Sequence, residues 1–569
     1  MFFNKAASQG CFYRGGAVTH FCVWSKTTLI PEENKYITRL SVSFKVLVSD
    51  PLAKEGVDIL KGFCEVDEIA DLSEDELVKI IGEYDALIVR SGTQVTARII
   101  EAADKMKYIG RAGVGVDNID TEAATKKGII VSNAPEGNTL AATEHTVGMM
   151  MALARNIPQA TASLKKGEWK RSKFMGNEMN GKVLGVVGFG RIGREVAKRA
   201  QALAMTVIAY DPFIPAEVGA AMGVEMMSVA ELFTKADVIT VHTPLIPSTT
   251  HMVNAESIKT MKDGVRLINC ARGGIIDEKA LYDALVSGKV AGAALDVFEH
   301  EPPTDSPLLT LDNVIVTPHL GASTVEAQKN VAISVAHQCI DVLSGGSARS
   351  AVNTPLVAPE MKSKVEPYAL LAEKMGSLAA QIAEAPVTEV EFAYLGEVAA
   401  LKQNLKYVTR LGVKGMLTHV LQEPVNIVNA EFVAKERGLN VVEKTSGEAG
   451  DYKSLVTLTF TTKKGSQKIA GIVTREGAAR IISIGKYMTD LVPAGNVILA
   501  DHVNRPGIIG IVGTILGKHN VNISSMQVGG AHVGTESLMI LSVGDVVPAN
   551  VMEEVAKADG ITAAKFVQL

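Results

Sequence analysis

The chain has 569 residues, 47% of them apolar and 21% charged, with a formal net charge of -5. That length exceeds one hydrophobic core and predicts three or four domains, and the near-balanced charge supplies no field to recruit nucleic acid or an anionic membrane. Five cysteines, Cys11, Cys22, Cys64, Cys270 and Cys339, lack the spacing of a metal site or a disulfide framework, so no metal is expected and a reducing compartment, the cytoplasm, is.

Residues 1–43 hold Lys5, Arg14, Lys26 and Arg39 and no acid before Glu32. They are expected to be a disordered leader or start-site extension, with organellar import as the alternative, because transit peptides are basic and poor in acid. Order is expected from Phe44, where "FKVLVSD", "DALIVRS" and "YIGRAGVGVDNID" alternate with helix-like segments. Short β-rich runs alternating with helices indicate parallel βαβ units, so residues 44–137 should form an α/β domain without a glycine fingerprint.

The helical segment "NTLAATEHTVGMMMALARNIPQA" leads into a second domain, 138–323; its apolar stretch at 147–154 is too short to span a bilayer. The runs "VLGVVGFG", "TVIAYDP", "DVITVHTP", "VRLINCARGG", "AGAALDVFE" and "VIVTPHLGAS" follow, the pattern of a doubly wound parallel sheet. A helix over "VEAQKNVAISVAHQCIDVLSGG" ends at Gly345 and Gly346 and is expected to return to the first domain, closing it with residues 324–352. Residues 355–494 read as an α+β region in which helices precede strands, without a catalytic motif. Residues 496–569 give a βαββαβ order, that of a small ferredoxin-like module.

Chemistry concentrates in the second domain. In "GFGRIG", Gly188, Gly190 and Gly193 have the spacing for a tight turn, close approach to a pyrophosphate and close helix packing. Asp211 ends the next strand, where a carboxylate accepts both ribose hydroxyls of NAD and repels the 2′-phosphate of NADP; NAD is therefore the expected cofactor. Arg272, Asp296 with Glu301, and His319 stand at successive strand ends, which in a parallel sheet converge on the ligand crevice. Oxidising a secondary alcohol needs a base for the hydroxyl proton, and an imidazole matches neutral pH, which assigns that role to His319. Glu301 can bond the other ring nitrogen, fixing the tautomer and favouring the charged form. Arg272 can hold a substrate carboxylate in its planar fork and polarise the adjacent oxygen.

With "GFGRIG", "NCARGGIIDE", "FEHEPP" and "TPHLGAS", residues 44–353 resemble the D-isomer-specific 2-hydroxyacid dehydrogenase family. "VRSGTQVT", "GRAGVGVDNID" and "PEGNTLAATEHT" resemble the branch that oxidises D-3-phosphoglycerate, whose long form adds an intervening and an ACT domain. The resemblance implies a substrate domain that comes first, so the fingerprint sits mid-chain, and a cleft between two Rossmann-like domains. It implies cofactor contacts from Val114, Arg191, Ile192, Asp211, Thr243, Cys270, Ala271, Asp296, and residues from His319 to Ala322. Val114 stands where many relatives carry a hydroxyl or another small residue, but its backbone can still serve. Arg90 and Arg111 would bind the acidic substrate beside Arg272. In the ACT-like "DHVNRPGIIG" region, His502, Asn504 and Asn522 match positions that hold L-serine across paired domains. The basic run "LKKGEWKRSK" adds steering charge or is a solvated helix end.

The implied activity is NAD-dependent oxidation of D-3-phosphoglycerate to 3-phosphohydroxypyruvate, the entry to L-serine biosynthesis, by a homodimer or homotetramer under serine feedback. Two alternatives stand beside it: a glyoxylate or hydroxypyruvate reductase, and a dinucleotide-sensing binding protein of the corepressor type.

Overall fold

The computed structural model describes residues 44–421, 424–529 and 535–569; the reading of the leader, with Cys11 and Cys22, lies outside them. Lys45–Val48, Glu65–Glu68, Ala86–Val89, Tyr108–Arg111 and Ile130–Ser132 form an all-parallel sheet in the spatial order 2-1-3-4-5. Its central strands Ala86–Val89 and Tyr108–Arg111 are buried on both faces, as parallel strands covered by crossover helices must be, whereas the edge strand Glu65–Glu68 is largely exposed. The helix Val325–Leu343 supplies Val331, Val335, Ala336 and Cys339 to the same core cluster as Val46, Leu60, Ile88 and Tyr108, so the chain does return to its first sheet. Gly56 allows that return: a Cβ there would lie 2.7 Å from Ala332, so the helix Lys54–Lys61 meets the returning helix backbone to backbone.

The second sheet has seven parallel strands, from Val183–Val187 to Val314–Val316, in the order 3-2-1-4-5-6-7. The short pair Glu225–Met226 at its edge is one strand more than the apolar runs predict; two residues carry no periodic signal. Strand order reverses between Val183–Val187 and Val238–Val241, which opens the crevice where such sheets bind ligands. The helix Thr139–Arg155 enters this domain and packs on Arg191–Ala202.

Beyond Asn353, whose amide bonds the backbone of Ile129 and Val131 in the first sheet, the helices Pro359–Ile382 and Leu405–Thr418 pack on a six-stranded sheet. The strand Val387–Gly396 comes between those helices in the chain and pairs parallel with Asn440–Ser446, so helices and strands interleave rather than follow one another. Residues 496–569 have the βαββαβ order, with spatial order 2-3-1-4. One face of that sheet places Val497, Leu499, Leu538, Ile540 and Val567 in the core of the preceding unit. Among the described residues no helix is long and apolar enough to cross a membrane.

The two long helices of the intervening region meet at glycines. A Cβ on Gly376 would fall 1.9 Å from the carbonyl oxygen of Gly412, and backbone cannot yield as a side chain can. Gly376→Ala should therefore destabilise the region by about 1–3 kcal/mol. A thermal midpoint indistinguishable from wild type would show that the helices are not in this contact.

Candidate active site

The candidate catalytic residues all leave the carboxyl ends of parallel strands. Arg90 and Arg111 do so in the first sheet, and Arg272, Glu301 and His319 in the second, and together they line one cleft of about 700 Å³ with Val114 and Ala322. His319 Nδ1 lies 2.8 Å from Glu301 Oε2, and Glu301 Oε1 accepts the Phe298 N–H at 3.2 Å. Burial pushes the Glu301 carboxyl up, but the hydrogen bond and charge of His319 outweigh it and the net direction is down. An ionised carboxylate can only accept, so Nδ1 carries the proton and Nε2 keeps its lone pair on a ring that lines the cleft.

His319 has φ 55°, a left-handed conformation that costs free energy in any residue but glycine. Its N–H is held by the carbonyls of Asp296 at 2.9 Å and Thr317 at 3.0 Å. The Asp296 side chain, 1% exposed, accepts from Thr317 Oγ1 (2.5 Å) and from the backbone N–H groups of Leu320 (2.7 Å) and Gly321 (2.8 Å). Asp296 does not line the cleft; its oxygens face the loop that carries His319. Burial alone would raise its carboxyl, but these bonds and His145 hold it below the ordinary range. The anchoring is thus fully present above the unfolded carboxyl range and is lost as pH falls through the depressed value.

Across the cleft stands a cluster of cations. A Cβ on Gly113 would lie 1.4 Å from Arg111 Nη1, and one on Gly115 would lie 1.8 Å from Arg272 Nη2, so these glycines make room for guanidinium groups. Burial first, then the charge of Arg272, brings Arg111 down to about 10, and its buried Nε has no partner among the described residues. Arg272 is oriented by Asp117, Nε to Oδ2 at 2.8 Å, and by the Ala271 carbonyl at 2.6 Å. Arg90 donates its backbone N–H to Asp50 and a guanidinium N–H to the Pro51 carbonyl. Guanidinium groups this close, with a bond unmade, fit a ligand with more than one anionic group.

The fingerprint fits a dinucleotide. Gly188 has φ 95°, and a Cβ there would lie 2.6 Å from the His242 carbonyl; a Cβ on Gly193 would lie 2.1 Å from Gly188 O. Among the described residues nothing lies within 4 Å of a Cβ on Gly190, the residue that opens the helix Arg191–Ala202, which leaves that side open to a phosphate. Thr243 Oγ1 is buried beside Gly188 without a partner among the described residues. Asp211 accepts the N–H groups of Phe189 and Phe213, which sets its carboxylate at the end of the second strand. Arg191 reaches Glu136 at 3.4 Å, and Ile192 packs partly buried on the core. Burial raises the Cys270 thiol to about 12, so it is no thiolate at neutral pH.

Near the C-terminus, His502 is 1% exposed with Nε2 unpartnered among the described residues, and Asn504 follows on the same strand end. Asn522 precedes Ile523–Gly529 at the opposite end of the sheet, where Asn496 pairs with Val543 and Val543 with Ile523. His502 stands six positions along the strand from Asn496, about 20 Å. The fold of one chain does not bring Asn522 to His502.

Sequence reasoning passed over Asp117, Asn118 and His145. Asn118 ties the carbonyls of Arg90 and Thr93. Asp117 and Asn118 were visible as polar residues in a glycine-rich strand end; His145 sits in a helix, with no local signal of the carboxylate it meets.

Family models match the chain in three places: "D-isomer specific 2-hydroxyacid dehydrogenase, NAD binding domain" over residues 147–321, "D-3-phosphoglycerate dehydrogenase intervening domain" over 364–485, and "ACT domain" over 496–560. The chain is similar to D-3-phosphoglycerate dehydrogenase of Methanocaldococcus jannaschii, 48% identical over 92% of this chain and 100% of the relative. It is similar to D-3-phosphoglycerate dehydrogenase 2, chloroplastic, of Arabidopsis thaliana, 41% identical over 95% and 91%. A solved glyoxylate reductase from Paecilomyes thermophila superposes with TM-score 0.51 at 32% identity, over 56% of this chain and all of that one.

Because the space around Gly190 is open, Gly190→Val should leave the thermal midpoint within about 2 °C, since its effect on the free protein is that of a surface change. It should abolish NADH binding read by fluorescence, and retained binding would remove the fingerprint from the cofactor site.

Proposed function

The chain belongs to the D-3-phosphoglycerate dehydrogenase family, and on that footing we propose that it oxidises D-3-phosphoglycerate to 3-phosphohydroxypyruvate with NAD, the first step of L-serine biosynthesis. The observation that carries the reading is one cleft holding the His319–Glu301 pair opposite Arg90, Arg111 and Arg272. A substrate with both a carboxylate and a phosphate is the ligand such a cation cluster suits; glyoxylate, with one carboxylate, leaves most of that charge unanswered.

Arg272 takes the carboxylate and polarises the neighbouring oxygen, its fork held by Asp117 and the Ala271 carbonyl. Arg111 and Arg90 take the remaining anionic group. His319 Nε2 removes the proton of the C2 hydroxyl while Glu301 stabilises the imidazolium that forms. Gly188, Gly190, Gly193, Thr243 and Asp211 would hold the dinucleotide, whose nicotinamide supplies the acceptor for the hydride from C2. The products are ketone, NADH and one proton, returned to water through His319.

L-serine feedback belongs to the same reading. Since His502 and Asn504 lie at one end of the ACT sheet and Asn522 at the other, a complete effector site needs a second copy whose Asn522 end meets the His502 end of the first. Effector binding and pairing are then one event, and serine acts by favouring the arrangement it binds better.

The test is NADH formation from D-3-phosphoglycerate with a trap for the ketone. His319→Ala should lower kcat by about 10²–10⁴, the usual contribution of general base catalysis. Wild-type turnover that survives the substitution would remove His319 from the reaction. Turnover should also fall with L-serine, and His502→Ala or Asn522→Ala should raise the half-inhibiting concentration at least tenfold; unchanged inhibition in both would place the effector elsewhere.

A further inference from the structure

We propose that His145 is a positioning residue: through Thr317 and Asp296 it holds the loop 317–321, and with it His319, in the geometry that Glu301 completes. The inference rests on the dehydrogenase reading above.

Proton bookkeeping fixes the direction of the bonds. Thr317 has one hydroxyl proton, and its Oγ1 lies 2.5 Å from Asp296 Oδ1, so the hydroxyl donates to the carboxylate. His145 Nε2 lies 3.0 Å from Thr317 Oγ1 and 3.1 Å from Asp296 Oδ1. Neither contact offers His145 a proton, so Nε2–H is the donor and is shared between the two. His145 therefore completes a set of donors around a carboxylate that is almost wholly buried, and Asp296 passes that order to the N–H groups of Leu320 and Gly321. The backbone carbonyl of Asp296 also takes the N–H of His319 itself. A left-handed histidine persists only where its surroundings over-determine it, and this network is what surrounds it.

His145 belongs to the helix Thr139–Arg155, outside the cleft. Its ring opens on a separate groove of about 620 Å³ between that helix, Ile157–Lys165 and the strand Val314–Val316. The charged groups facing it are Asp296 from the strand end and Glu144 from its own helix, which lines the same groove. Nothing in the reaction touches His145, which separates its role from that of His319.

The experiment compares His145→Leu and His145→Gln in the full chain. It measures kcat and kcat/KM against pH, the Kd for NADH by fluorescence, and the 15N signature of His319, assigned with His319→Gln. Leucine removes a donor from the buried carboxylate, so kcat should fall at least tenfold with the Kd for NADH within twofold. Below the limb set by His319 itself, the acid limb that Asp296 adds to kcat/KM should move to higher pH, because Asp296 then protonates more readily. Glutamine, which can place an N–H near the Nε2 position, should restore kcat to within threefold and return the acid limb. Leucine should also blur the Nδ1–H signature of His319. A leucine variant with wild-type kcat and acid limb overturns the proposal, as does glutamine as impaired as leucine, or a loss carried wholly by NADH affinity. Absence of turnover in wild type would sink the dehydrogenase reading instead, and an unchanged His319 signature in the leucine variant would then by itself overturn this one.

Discussion

Asp296 is a carboxylate removed from water, and its requirement for donors shapes the site around it. A buried anion is tolerated only when hydrogen bonds replace its hydration, and the donors here come from Thr317, Leu320, Gly321 and His145. Three of these belong to the loop after the last strand of the second sheet, so satisfying the charge and shaping the loop are the same event. His319 inherits an unfavourable backbone conformation from that loop, and Glu301 meets it there from the preceding strand end.

The opposite wall is governed by the reverse problem, an excess of positive charge. Arg111 and Arg272 repel each other across glycines that leave no room for side chains of their own. The first sheet contributes Arg90 and Arg111, and the second contributes Arg272, tied to Asp117 of the first. The ion pair between Arg272 and Asp117 spans the two domains and fixes the guanidinium of the second against the strand end of the first. The returning helix Val325–Leu343 and the Asn353 amide link that first domain to the intervening region. The intervening region in turn shares its core with the ACT sheet. A continuous packed path therefore joins the ACT sheet to the first parallel sheet.

Much of this was legible in the chain. Short continuous apolar runs alternating with helices identified both parallel sheets, and the glycine spacing in "GFGRIG" identified the turn, the open phosphate side and the helix contact that Gly188, Gly190 and Gly193 each provide. Arg272, Glu301 and His319 were legible because strand ends of a parallel sheet must converge, so order in sequence became proximity in space. The edge strand Glu225–Met226 was not, since two residues form no pattern. The interleaving of strand and helix between 355 and 494 was missed because local apolar runs do not tell which strand pairs with which.

What the sequence by itself determined was the set of parts: two βαβ sheets, a dinucleotide turn with its acid, a histidine with its carboxylate, and a ferredoxin-like end, each encoded within a few dozen residues by apolar runs, glycine and strand-end chemistry. Only the tertiary structure decided which partners those parts acquire. Asp296 gained its donors from the loop that carries His319, His145 entered from a helix more than one hundred residues away, and Asn522 was carried to the far end of the sheet from His502. The physical reason is range: propensity and periodicity act between neighbours in the chain, whereas desolvated charge selects its partners by distance in the folded molecule.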